Sequence, residues 1–238
     1  MLTTQVLGAH DVSDAFISEM FALYSVYYDR TDKGRFADDL RCKDAIILLK
    51  HDGRIVGFTT LESRPFDHLG RTGVVVFSGD TVVDRAYWGQ MDLAYAWLRA
   101  VATLSRRFAG LPVYWLLIVK GHRTYRFMPS FGKGFVPHWE ASANDPDLLQ
   151  LRDALATARF GDAFDPETGI VSFDGKLDRL SARWAEPSAR EAARADVAFF
   201  LEANPGYRQG DELVCLCPLT PENMRPLTRR VFEAALSQ

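Results

Sequence analysis

The chain has 238 residues, a formal charge of −3 and a hydrophobic content of 47%. These values suit a globular protein and exclude collagen, coiled coil and disorder as the main architecture. Its longest apolar run, Val113–Val119, has seven residues against the ~20 that cross a bilayer, so no membrane span is expected. Residues 1–20 contain Asp11, Asp14 and Glu19 and no Lys or Arg, unlike a secretion signal. Three cysteines, Cys42, Cys215 and Cys217, fit a reducing compartment, and a cytoplasmic location is expected.

The small net charge hides a segregation. Residues 93–139 hold seven Lys and Arg and no Asp or Glu, which leaves −10 on the rest of the chain. Charge separated in this way points to an anionic partner. The alternative is a basic helix that is merely solvated. No basic tail accompanies the window, so nucleic acid is not the expected partner.

In chain order, Val12–Tyr28 has apolar residues at helical spacing, with Ser13 or Asp11 as the cap. Asp32–Leu40 can hold a further helical turn. Ala45–Leu49 and Ile55–Glu62 flank Asp52-Gly53, a hairpin signal. Gly73–Val83 reads as a strand with a bulge at Ser78-Gly79-Asp80. Asp84–Arg107 reads as a helix, and Val113–Val119 as a central strand buried on both faces. His122–Phe131 is expected to be a helix broken at Pro129, and Asp145–Arg159 another helix. Phe160–Trp184 reads as loop, with a turn at 165–169 and a strand at Ile170–Phe173. Pro187–Ala203 is helical, Glu212–Leu216 is a strand, and Pro221–Leu236 is a last helix capped by Thr220.

The segment from Phe77 to Leu98 carries most information: a bulged strand, a short loop and a long helix. A helix N-terminus exposes unpaired N–H groups and can hold a phosphate. Val83, Tyr87 and Gly89 at this junction, and Gly134-Phe135 downstream, resemble the GNAT superfamily of N-acyltransferases. The order of elements from Val12 to Trp139 agrees as well. The departures are Trp88 at the family's arginine position, Met91 and Leu93 at two of its small positions, and Ser130 at its usual acid tyrosine. The resemblance implies an α/β fold: a GNAT-like mixed β-sheet flanked by helices over residues 1–142. Residues 143–238 would be a C-terminal helix-and-strand extension packed on the same sheet.

It also implies acyl transfer from a thioester to a small-molecule amine by direct attack. The donor would be acyl-CoA, or an acyl-phosphopantetheine on acyl carrier protein, as in the carrier-dependent acyl-homoserine-lactone and N-acyl amino acid synthases that share the fold. An acidic carrier would suit the basic window. Backbone amides of Thr81, Val82 and Val83 would polarise the carbonyl. Trp88, Gly89, Gln90, Arg123 and Arg126 would hold the donor. Glu62, Asp80 and His122 are the candidate bases, and Tyr125 or Ser130 would protonate the thiolate. Each of these also has an ordinary structural reading. Cys215-x-Cys217 supplies two sulfurs where zinc needs about four ligands, so no metal is expected. A catalytically inactive binding module for an acyl or pantetheine ligand stands as the alternative.

Overall fold

The computed structural model describes residues 1–108 and 110–237. The chain opens with a strand that its polar sequence did not announce. β1 (Leu2–Gly8) is largely exposed and lies at the sheet edge, antiparallel to β3 (Ala45–His51). α1 (Asp14–Tyr27) begins where Ser13 Oγ accepts the Phe16 N–H, which settles the cap between the two candidates. β2 (Tyr28–Asp29) continues it directly. α2 (Lys33–Arg41) is longer than the single expected turn and is capped by Asp32. Asp52 and Gly53, both at positive φ, turn β3 into β4 (Arg54–His68).

β5 (Arg71–Val83) pairs antiparallel with β4. The helix expected from Asp84 starts later. Residues 85–87 form a single tight turn capped by Asp84, and α3 runs Asp92–Arg107. β6 (Val113–Val119) is central, parallel to β5 on one side and antiparallel to β10 (Glu212–Pro218) on the other. α4 (His122–Tyr125) and α5 (Phe127–Phe131) meet at Arg126. The break is therefore not at Pro129, which sits in the first turn of α5, where a missing N–H costs nothing.

α6 (Pro146–Phe160) follows, with Asp145 as cap. The region expected as loop adds β7 (Phe164–Asp165), β8 (Ile170–Val171), β9 (Arg179–Leu180) and α7 (Ala182–Ala185). The helix expected over 187–203 divides into α8 (Ala189–Ala192) and α9 (Ala195–Ala203). Arg194 between them is extended and turns its guanidinium onto Asp196. The last helix, α10 (Pro226–Leu236), starts five residues after Pro221. Asn223 holds the preceding turn through Gly134 and Pro218, so Pro226 takes the first helical position.

The strands form one mixed sheet in the order β1-β3-β4-β5-β6-β10-β8-β7, with helices on both faces; a separate ribbon joins β2 to β9. α3 and α10 cover one face, burying Trp97, Leu98, Val101 and Phe232. α1 and α2 cover β3 and β4 on the other face through Met20, Phe36, Leu40 and Phe58. α6 covers β6 and β10 beside them, through Leu151 and Leu155. Each such side chain contributes ~1.5–3 kcal/mol through the water it excludes. Between the α1–α2 layer and α6 a trough is left above β5 and β6.

Candidate functional site

The trough lies where two parallel strands part. The β5–β6 ladder runs from Val74↔Val113 to Ser78↔Leu117 and ends there. Ser78 is pinned at that point by two indoles: Trp97 Nε1 donates to its Oγ at 2.8 Å and Trp115 Nε1 at 3.0 Å. The next residues bulge. Asp80 and Thr81 together oppose Thr59 of β4, and Asp80 takes a left-handed φ of 44°, which a short polar side chain tolerates better than most. Two hydroxyls fasten the bulge: Thr60 Oγ1 donates to the Gly79 carbonyl at 2.9 Å, and the Thr59 and Thr81 hydroxyls meet at 2.7 Å. Gly79 is tightly surrounded, since a Cβ there would lie 3.3 Å from the Phe77 ring.

The bulge aims Asp80 into a cavity of about 260 Å³ whose lining includes Tyr24, Tyr28, Asp39, Lys43, Lys120 and Asp178. Burial, and then the facing Asp39 carboxyl, push the Asp80 carboxyl up to about 8, against the pull of Lys43 and Lys120. Lys43 is itself buried and holds Asp39 at 2.8 Å. On the opposite wall Lys120 binds Asp178 at 2.6 Å and reaches Glu212 at 3.6 Å. Burial raises the Glu212 carboxyl to about 7. Burial also works against the Lys120 charge, but Glu212 and Asp178 outweigh it and hold its pKa up. Tyr24 donates its hydroxyl to Asp178.

The other expected bases lie elsewhere. Glu62 is buried and receives Arg159 on both oxygens, at 2.9 and 2.6 Å, and Arg64 at 2.6 Å. Burial opposes its charge, yet the two guanidinium groups bring it down to about 2, which makes it a counter-ion rather than a base. His122 is 1% exposed, and neither ring nitrogen has a hydrogen-bond partner. Burial and then Arg123 lower its pKa, and Glu191 Oε1 stands 3.6 Å from Nε2. It therefore does not open on the Asp80 cavity. Tyr125 is fully buried and donates to the Pro137 carbonyl, while Ser130 donates to Arg126. Neither lines that cavity. Tyr28 and Thr124, which do line it, had no motif to mark them.

Of the expected donor residues, Arg123 lies over the Trp88 ring at 5.2 Å, whereas Arg126 lines a separate cavity with Ser130 and Asp196. Asp84 N–H bonds Val56 on the β4 side. Strand alternation then sends the Val83 carbonyl towards the parted edge. The Val83 carbonyl is taken by the Trp88 indole, whose Nε1 donates at 2.8 Å. Gly89 turns the loop at φ 87° and Gln90 follows. α3 then starts with no side-chain cap, leaving its first amides free for an anion, although Asp92 in that turn works against one. Arg123 bonds the Trp184 carbonyl and Glu191, and Arg126 faces Asp196 at 3.7 Å. Among the described residues no cluster of three metal-ligating side chains occurs, and no helix is long and apolar enough to cross a membrane.

No family model matches the chain, and no curated protein matches it. Solved structures do. A probable N-acyltransferase of Enterococcus faecalis matches over 57% of this chain and 33% of its own, at 14% identity and a TM-score of 0.43. An acyl-CoA N-acyltransferase from Pseudomonas aeruginosa matches over 56% and 91%, at 18% identity and 0.39. A GNAT family N-acetyltransferase from Escherichia coli, solved with CoA, matches over 55% and 68%, at 18% and 0.39. Likeness at this level assigns no activity to the chain. Its own residues must decide the chemistry.

Proposed function

We propose that the chain is a divergent GNAT-like acyltransferase that moves an acyl group from a thioester to an amine bound in the Asp80 cavity. The observation that carries this reading is the bulge. It places a carboxyl of raised pKa at the point where β5 and β6 part, with free strand edge on one side and a polar cavity on the other. A thioester laid along the parted edge would meet the Thr81 N–H, a backbone donor fixed before reaction. The amine would approach from the cavity and give a proton to Asp80, whose pKa near working pH suits a general base. Its nitrogen would then attack the carbonyl, and the C–S bond would break. Tyr28, kept protonated by burial and lining the cavity, would give its proton to the departing thiolate.

The pairing of charges does not separate the two donors, because a CoA phosphate meets the same occupied cations as a carrier protein. Lys120, Arg123 and Arg126 already face Asp178, Glu191 and Asp196, so either donor would have to compete for them. The second reading, a binding module without catalysis, is favoured by one contact: the Trp88 indole on the Val83 carbonyl. Thiol release from acetyl-CoA, longer acyl-CoA and acylated carrier protein, measured against a panel of amines, separates these. Release from CoA thioesters that is abolished in Asp80→Asn supports the proposal. Donor binding without release from any thioester supports the module.

A further inference from the structure

A later part of the chain crosses the mouth of the gap. β9 pairs with β2 through Tyr28↔Leu180 and Asp29↔Arg179. Leu180 lies against the backbone of Gly121, just past the end of β6; a Cβ there would fall within 2.6 Å of Leu180 Cδ1. The Ser181 N–H bonds the Tyr27 carbonyl. Trp184 then packs at a tilt 5.1 Å from the Tyr27 ring and edge-on 5.6 Å from Trp88, and its indole donates to the Val26 carbonyl at 3.2 Å. Its own carbonyl accepts Arg123 at 2.7 Å. A segment of a few residues thus touches α1, the start of α4, and the Trp88 that covers the β5 edge.

We infer that residues 179–191 form a strap, closed in this structure, that must lift from β2, Gly121 and Trp88 before a thioester donor reaches the parted edge. The inference rests on the donor reading given above. Its contacts suit a reversible fastening. β9 supplies only two residues to its ribbon, and a two-stranded ribbon is marginal on its own. Trp184 is partly exposed. Glu191 meets Arg123 at 3.4 Å, a part-exposed pair that is cheap to break. The strap also brings its own anion to Arg123, so a donor phosphate and Glu191 would compete for one guanidinium.

A disulfide tests this. Asp29 and Arg179 are directly opposite in an antiparallel pair, at a spacing that a disulfide spans, and neither lines the cavity. The Asp29→Cys, Arg179→Cys protein, made in a Cys42→Ser background, is titrated with CoA by calorimetry before and after oxidation. Binding when reduced that is lost when oxidised supports the strap. Trp184→Ala should tighten CoA binding by about tenfold relative to the unaltered chain, because it raises the open fraction. Equal binding by the oxidised and reduced proteins overturns the strap and leaves the donor reading intact. No CoA binding by the reduced protein or by Trp184→Ala overturns the donor reading, and the strap with it.

Discussion

Asp39→Asn isolates the electrostatics of the site. Asp39 faces Asp80 and is the largest cause, after burial, of the raised Asp80 pKa. Two unit charges ~5 Å apart at an effective dielectric of ~20 interact by about 3 kcal/mol, or roughly two pKa units. The Asp39 side chain is 46% exposed, and solvent screening reduces this to about one unit. Removing its charge also frees the Lys43 ammonium, which pulls in the same direction. Asp80 works as a base only when ionised, so kcat/KM should climb with pH through about 8 in the parent chain. In Asp39→Asn the same limb should move about one unit towards acid. A carboxyl-carbon NMR titration of Asp80 reads the shift without any acceptor amine. A limb that stays in place, or moves towards alkali, refutes the assignment of Asp80 as the base that Asp39 tunes. Asp80→Asn keeps the left-handed bulge, which Asn tolerates, and should lower the rate by about 10²–10⁴. The same substitution should stabilise the fold at alkaline pH. An acid whose pKa is raised on folding takes stability away as pH rises from about 4 to about 8, and a thermal melt at pH 9 reads the gain.

Ser78→Ala strips the acceptor from two buried indole N–H groups and should cost about 2–4 kcal/mol in urea unfolding; a neutral result would show that the two indoles find other partners. Arg159→Met leaves the buried Glu62 with Arg64 alone, and should cost about 2 kcal/mol at pH 7. Glu62 has a depressed pKa, so its stabilisation is present above about 4.5 and fades as pH falls through about 2. The difference between Arg159→Met and the parent should shrink over that window, and a constant difference would argue for packing instead. Of the three thiols, Cys42 is exposed, while burial pushes the Cys217 thiol up to about 12 and that of Cys215 higher. A thiol reagent should label one cysteine in the native chain and all three in denaturant.

The middle of the fold could be read from sequence because local signals and long-range packing agree there. Ser13, the Asp52-Gly53 turn and the run of seven apolar residues in β6 each specify one local structure, and the sheet uses them unchanged. The misses come where a side chain is recruited from far away. The helix expected over 187–203 breaks at Arg194 because Asp196 holds its guanidinium, and the last helix starts late because Asn223 is tied to Gly134, 89 residues back in the chain. The bulge at Asp80 was legible, since a glycine inside a Val-rich run signals one. Asp39 and Lys43 carried no such mark. They belong to α2 and the turn after it, and only the packing of that layer over β5 brings them to Asp80.

Charge reads differently along the chain and in space, and the reason bears on how the site works. The window 93–139 lacks acids in sequence but not in space. Lys120 meets Asp178 and Glu212, Arg123 meets Glu191, and Arg126 meets Asp196, all supplied by later parts of the chain. What reads as a surface waiting for an anionic partner is, around the gap, already satisfied within the chain. The four carboxylates are tethered, so their effective concentration at these cations is high, and an incoming phosphate must do more than supply opposite charge. Arg99, Arg106 and Arg107, by contrast, lie on or at the end of α3, beyond the reach of those pairs. Raising ionic strength should therefore loosen Glu191 from Arg123 and weaken donor phosphate contacts together. CoA affinity of the intact chain should vary less with salt than that of Trp184→Ala, in which the strap no longer competes. An equal salt slope in the two proteins would mean that these later residues neutralise the window without guarding it.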